Sequence, residues 1–244
     1  EETFEHGVVI VATGAYELET TEYLHKTSPN VVTQRDLEKL LAEKDPKANA
    51  AKSVVMIQCV GSRIPERPYC SRYCCSEAIK NALKLKEMDP EKDVTIIYRR
   101  ERKDMPAIPE ETEAAEAEGA KIVFLATPHR IIGNSDGRVT AIEAVKTKLG
   151  EYDASGRRRP IPTDEIVRFA CDSVILAVGE SVDVDFAKAS GLKIKESGLI
   201  EVDRYTLETS RQKFYAGGDL ITGASNVSNA MGYGKKAARN IDRR

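Results

Sequence analysis

The stretch from Ser53 to Arg100 constrains the fold most. An apolar run, SVVMIQCV (53–60), leads into a cysteine-bearing turn, then CCSEAIKNALKLKEM (74–88), then a second apolar run, DVTIIYRR (93–100). The flanking runs are β-branched and bounded by turns, so they read as buried strands; the segment between them has apolar residues at helical spacing. Strand, helix, strand in that order predict a βαβ unit, a parallel sheet and a right-handed crossover. In a nucleotide-binding unit the first strand-to-helix turn carries glycines that let the backbone approach a phosphate. Here that turn is CVGSRIPERPYCSRYCC, with four of the chain's five cysteines and Gly61 as its one glycine.

The rest of the pattern extends this unit. HGVVIVATGA (6–15) reads as a strand stopped by Gly14. TQRDLEKLLAEK (33–44) reads as a helix capped by Thr33, with Leu37, Leu40 and Leu41 on one face. The polar DPKANAAK (45–52) is taken as a domain boundary. PEETEAAEAEGA (109–120) reads as a helix. KIVFLATPHRIIG (121–133), RVTAIEAVKTKLG (138–150) and EIVRFACDSVILAVG (165–179) read as three strands joined by the turns NSDG and SGRRRP. LIEVD (199–203) and KFYAGG (213–218) read as short strands, and SNVSNAMGYGKKAARNID (225–242) as a helix capped by Ser225 or Asn226.

Charge and composition exclude several classes. A net charge of −2 gives no bulk field favouring nucleic acid or an anionic membrane. The longest apolar runs are too short to span a bilayer. No signal peptide is visible, and five clustered cysteines in 244 residues are not a secreted disulfide scaffold. The expectation is a cytoplasmic protein with metal or redox chemistry at its thiols. The chain opens EETFEHG and is read as an excised part of a longer polypeptide.

Two sites are candidates. Cys59 and Cys70 are separated by ten residues and Cys70 and Cys74 by three, and Cys75 follows directly. Four thiolates suit zinc or an iron–sulfur cluster, and irregular spacing with adjacent cysteines favours the larger cluster. A helix N-terminus lowers thiol pKa, and Arg63, Arg67 and Arg72 add positive charge. Redox thiols or plain packing remain open, since Cys75 shares an apolar stripe with Ile79, Ala82 and Leu83. Cys171 is read as core packing. The second site is KFYAGGDLITGASNVSNA (213–230), where Gly217 and Gly218 permit a close approach and Asp219 offers an acceptor for sugar hydroxyls. An ordinary glycine turn is the even alternative. Gly232-Tyr-Gly234 is a formal dinucleotide motif inside a helical pattern and is set aside. His6, His25 and His129 form no triad-like arrangement.

ATG (12–14), AVG (177–179) and AGGD (216–219) resemble the punctuation of flavoproteins with two dinucleotide domains. YRRERKDMPAIPEETEAAEAEGAKIVFLATPHRI (98–131) is similar to the small subunit of glutamate synthase. VVTQRDLEKLL and the cysteine segment resemble the flavoprotein subunit of heterodisulfide reductase. The resemblance implies an α/β fold: a Rossmann-like NAD(P)-type domain with parallel sheet, helices and β meander (48–172), inserted into the remaining part of an FAD-binding domain (1–47 and 173–244). It implies that Cys59, Cys70, Cys74 and Cys75 hold a [4Fe–4S] cluster. It also implies that Asp219 holds the FAD ribityl chain and that Thr13, Gly14, Gly217 and Gly218 lie along the FAD.

On this reading the phosphate turn has become a cluster-binding turn. Arg99 and Arg100, where a related enzyme meets NADP, are then relics or a solvated strand end, and NAD(P) binding is left open. The family's N-terminal glycine motif is absent, so this part is expected to fold without FAD and to lack activity alone. The expected parent is an FAD-dependent electron-transfer oxidoreductase working with other electron-transfer subunits. The rivals are an NAD(P)H-dependent FAD oxidoreductase of the glutamate synthase small-subunit type without a cluster, and a zinc-stabilised docking module.

Overall fold

The structure, a computed structural model, describes residues 3–64, 70–152 and 158–243. The chain forms two compact units, one of Glu1–Leu18, Ser71–Tyr73 and Glu180–Arg244, the other of Glu19–Cys70 and Cys74–Gly179. It starts in the first unit with β1 (Val9–Val11) and β2 (Tyr16–Glu17). The second unit follows with β3 (Val31–Thr33), α1 (Gln34–Ala42), α2 (Lys47–Ala50), β4 (Ser53–Val60), α3 (Cys74–Met88) and β5 (Asp93–Tyr98). It continues with α4 (Pro109–Ala117), β6 (Lys121–Phe124), β7 (Ala126–Gly133), β8 (Val139–Tyr152), β9 (Arg158–Ala170) and β10 (Ser173–Val178). The chain returns through β11 (Glu180–Ser181), α5 (Asp185–Ala189), β12 (Phe214–Ala216), α6 (Asp219–Thr222) and α7 (Val227–Asp242).

The second unit is an α/β fold of the Rossmann type in three layers. Its central sheet is parallel, with strand order β3-β10-β4-β5-β6. Alternation along β4 divides the core. Val54 and Met56 face the helices, packing with Ala78, Ile79, Ala82 and Leu85 of α3 and with Val94 and Ile96 of β5. Val55 and Ile57 face the antiparallel meander β7-β8-β9, packing with Val139, Ile142 and Ala144. Both faces of the sheet are therefore covered, which is why its strands are continuous apolar runs. Each fully buried side chain of this size contributes roughly 1.5–3 kcal/mol. At α1, Thr33 Oγ accepts from the Asp36 N–H at 3.2 Å and the Thr33 N–H donates to Asp36 Oδ2 at 3.0 Å, a reciprocal cap.

The unit boundaries fall elsewhere than at 47/48 and 172/173. Val31 of β3 pairs with Val174 of β10, and Ser173 of β10 with Val54 of β4. Residues 19–47 and 173–179 thus belong to the sheet-bearing unit, and the polar 45–52 segment is internal, carrying the short α2. Two expected strands are each divided. Leu125, at φ 54°, separates β6 from β7, so 121–133 supplies one strand to each sheet. Cys171 and Asp172 separate β9 from β10 in the same way. The strand expected over 6–15 is confined to Val9–Val11, and 199–203 makes isolated bridges only. Part of the SGRRRP turn lies outside the described residues. In the first unit β1 pairs in parallel with β12, Val9 opposite Phe214. Among the described residues, no helix is long and apolar enough to cross a membrane.

Candidate functional site

The thiols gather where β4 ends and α3 begins. Between Ile57 and Val60 β4 takes one more residue than β10 takes between Leu176 and Val178, a β-bulge. Within it Cys59 adopts φ 64°, the left-handed region that a side chain enters only at a cost. Bulges re-aim side chains beside functional sites. Gly61 and Arg63 follow with φ 65° and 57°. Cys59, Cys74 and Cys75 are buried and Cys70 is half-buried, all four as thiols rather than disulfides. Interaction between the adjacent Cys74 and Cys75 side chains lowers the Cys74 pKa and raises that of Cys75. Burial, followed by charge at Cys74, pushes the Cys59 thiol up to about 12. Burial and the charges at Cys74, Cys59 and Cys70 add to the rise at Cys75.

Two guanidinium groups face them. Burial works against the Arg63 charge, yet the Cys70 and Cys59 thiols and a hydrogen bond to Cys70 hold its pKa above the ordinary guanidinium value. Arg63 and Arg99 both lower the Cys59 pKa. The Nε of each is buried without a hydrogen-bond partner among the described residues. The Gln58 side-chain amide is in the same condition. Tyr98 is wholly buried nearby, its hydroxyl donating to the Asp104 carbonyl at 2.6 Å, and burial followed by the Cys75 and Cys59 charges raises its pKa. Nothing in the sequence marked Tyr98, since it reads as an ordinary strand residue.

The donor chemistry fits an anionic metal–sulfur group: four thiols, a helix start and two half-buried guanidinium groups. As the side chains stand, no three or more His, Cys, Asp or Glu among the described residues are arranged to hold a metal ion.

The other expected positive charges go elsewhere. Arg72 donates to the Thr222 carbonyl at 3.3 Å, and Arg67 lies outside the described residues. Arg100 is buried, so the end of β5 is not a solvated basic end; its carbonyl accepts from Leu125 N–H at 3.1 Å. Cys171 packs in the meander-side core, as expected. His25 is engaged by the Thr20 carbonyl at 2.9 Å.

A second site lies wholly in the first unit. Gly14, Gly217, Gly218 and Asp219 line one cleft of about 160 Å³ with Ile10 and Tyr233. Gly14 and Gly218 have φ of 71° and 67°, and a Cβ on Gly14 would meet open space. The cradle is thus open because side chains are missing from its walls, which suits a close-lying ligand. Thr13 is exposed and does not line the cleft.

Residues 73–234 match the family described as pyridine nucleotide-disulphide oxidoreductase. The chain belongs to that family. The matched range contains Cys74 and Cys75 and begins after Cys59 and Cys70. The chain is 40% identical over 152 residues to the NADP(+)-dependent formate dehydrogenase subunit beta of Moorella thermoacetica, covering 62% of this chain and 21% of the relative. It is 34% identical over 154 residues to the glutamate synthase [NADPH] small chain of Halomonas elongata, covering 61% of this chain and 32% of that one. It therefore spans a third or less of the curated relatives' lengths. Among solved structures it resembles thioredoxin reductase from T. acidophilum, with a TM-score of 0.64 and 21% identity over 96% of this chain and 64% of that one. A NAD-dependent persulfide reductase from A. fulgidus matches with a TM-score of 0.60 and 22% identity, over 96% of this chain and 39% of that one. These two likenesses establish the fold.

Proposed function

We propose that this chain is part of an FAD- and iron–sulfur-dependent electron-transfer oxidoreductase resembling the flavoprotein subunit of heterodisulfide reductase. On this reading Cys59, Cys70, Cys74 and Cys75 hold a [4Fe–4S] cluster, and Gly14, Gly217, Gly218 and Asp219 lie along FAD, with Thr13 at its margin. When bound, the cluster supplies single-electron transfer and the flavin supplies exchange between electron pairs and single electrons. The chain's own part is to orient the sulfurs, exclude water around them and surround them with positive charge. The observation that carries the reading is that two half-buried guanidinium groups, each with its Nε shut off from water, act on thiols gathered at a bulged strand end. A cation partly withdrawn from water is favoured by an anion beside it, and thiolates bound to metal are one.

Anaerobic reconstitution followed by iron and sulfide analysis tests it. About four of each per chain is the expected result. Zinc without sulfide selects the docking module instead.

A specific observation keeps the second reading in view. Relatives of both types described above carry NADP in their names. Tight NADPH binding by an iron-free protein selects that reading, a cluster-free NAD(P)H-dependent FAD oxidoreductase. Other electron-transfer subunits are the proposed partners, since these relatives are named as one component of a larger enzyme and as a small chain. A cytoplasmic location belongs to the same proposal.

A further inference from the structure

A cleft of about 610 Å³ opens in the sheet-bearing unit at the amino ends of β3, β4 and β10, the end of β4 remote from the thiols. Small-molecule sites usually enclose about 300–1,000 Å³. Four core side chains reach it: Leu37 of α1, Val54 of β4, Leu85 of α3 and Ile175 of β10. Another wall is alanine, with Ala48 and Ala50 of α2 and the adjoining Ala51. Lys92 fixes that wall. It is almost wholly buried, and its Nζ donates to the carbonyls of Asn49 and Ala51. An apolar lining with small side chains along one wall leaves wetted apolar surface that an apolar ligand would cover.

Lys39, Lys47 and Arg138 also line the cleft, and all three are exposed. None of them is in an ion pair among the described residues. The acids of the lining are placed differently. Asp36 Oδ2 accepts from the Thr33 N–H at 3.0 Å, and Asp172 accepts from the N–H groups of Lys52 and Ser53 at 3.0 and 3.1 Å. Those two carboxylates are committed to the backbone, which leaves Glu43. The cations keep their charge for a ligand. No aromatic side chain is among the described lining residues, so aliphatic surface is what the cleft offers.

We propose that this cleft binds a small amphipathic carboxylate, an acyl chain with one anionic head. The chain lies against Leu37, Val54, Leu85 and Ile175, and the head meets Lys39, Lys47 and Arg138. A single negative charge suits a rim of mixed sign. A more highly charged phosphate would be repelled by Asp36, Glu43 and Asp172. The site depends on neither the cluster nor the flavin reading.

Isothermal titration calorimetry of the whole chain with octanoate, butyrate, octanol and octyl phosphate tests this. Octanoate is expected to bind at one saturable site, tighter than butyrate by about tenfold or more because its longer chain buries more apolar surface. It should exceed octanol and octyl phosphate by about threefold, the scale of exposed charge contacts. Ala50→Leu narrows the cleft from an exposed position and should weaken octanoate by about tenfold. Lys47→Glu should remove the preference for octanoate over octanol and leave octanol binding unchanged. Thermal denaturation checks that both variants fold; if Ala50→Leu does not, Leu40→Gln at a half-buried lining position replaces it, with the same expected loss. A wild-type chain that shows no saturable octanoate binding overturns the site. So does equal affinity for octanoate and octanol, or an affinity unmoved by the cleft variant. Tighter binding of octyl phosphate overturns the choice of a carboxylate head.

Discussion

Cys74 and Cys75 sit side by side at the first turn of α3, both almost fully buried, while Cys70, before that turn, is half-exposed. Access therefore differs sharply within the thiol set. In the reduced, metal-free protein, alkylation under native conditions is expected to label Cys70 first. Cys59, Cys74, Cys75 and Cys171 react only after denaturant is added. Peptide mass spectrometry over a time course reads the order, and early labelling of Cys75 would contradict the burial described for it.

The left-handed backbone at Cys59 gives a comparison between two small substitutions. Glycine enters that region freely and alanine does not. Cys59→Gly is expected to be more stable than Cys59→Ala by about 1 kcal/mol in the metal-free protein. Urea denaturation of the two variants measures the difference. The usual order, alanine above glycine in a strand, would show that the bulge does not hold the φ described.

Gly217 abuts α7 across the wall of the glycine-lined cleft. A Cβ there would lie 3.1 Å from the Tyr233 Cβ, inside the distance most real contacts keep. Gly217→Ala is expected to cost about 1–3 kcal/mol by forcing α7 outward. Gly14→Ala meets no neighbour, and its cost is that of its backbone alone, φ 71°, about 1 kcal/mol. Thermal denaturation of the two variants should rank them in that order.

Alkaline pH should act through Cys171. Burial, with the neighbouring Asp172 charge, pushes this thiol up to about 12. A folded-state pKa above the unfolded value means the unfolded chain loses its proton first. The resulting stability is complete below about pH 8.5 and is lost as pH rises toward the folded value. Between those limits Cys171→Ala should flatten the decline of unfolding free energy by about 1.4 kcal/mol per pH unit. Parallel wild-type and variant slopes would count against it.

Much of the sheet-bearing unit was legible because local pattern and tertiary role agree there. Ser53–Val60 and Cys74–Met88 have the bounds their apolar patterning predicts, and Thr33 caps α1 as expected. The divided strands were not legible, because Leu125 is an apolar residue in an apolar run. Its left-handed conformation is imposed by the handover from the parallel sheet to the meander. The unit boundary at Leu18 was likewise hidden. It depends on β3 pairing with a strand more than a hundred residues later, which no local window contains. At the candidate site the residue types could be read from spacing. The bulge at Cys59 and the burial of Tyr98 and Arg100 could not, since each arises from long-range packing.

The place of β10 in the sheet also bears on how the protein is made. It lies between β3 and β4, so those two early strands cannot join each other and must wait for Ser173–Val178 to be synthesised. Until then each presents an open edge of bare amide and carbonyl groups, a surface prone to wrong partners. On a ribosome this seam would stay unsealed while more than a hundred residues between Val60 and Ser173 are made, and a pause before Ser173 would prolong that exposure.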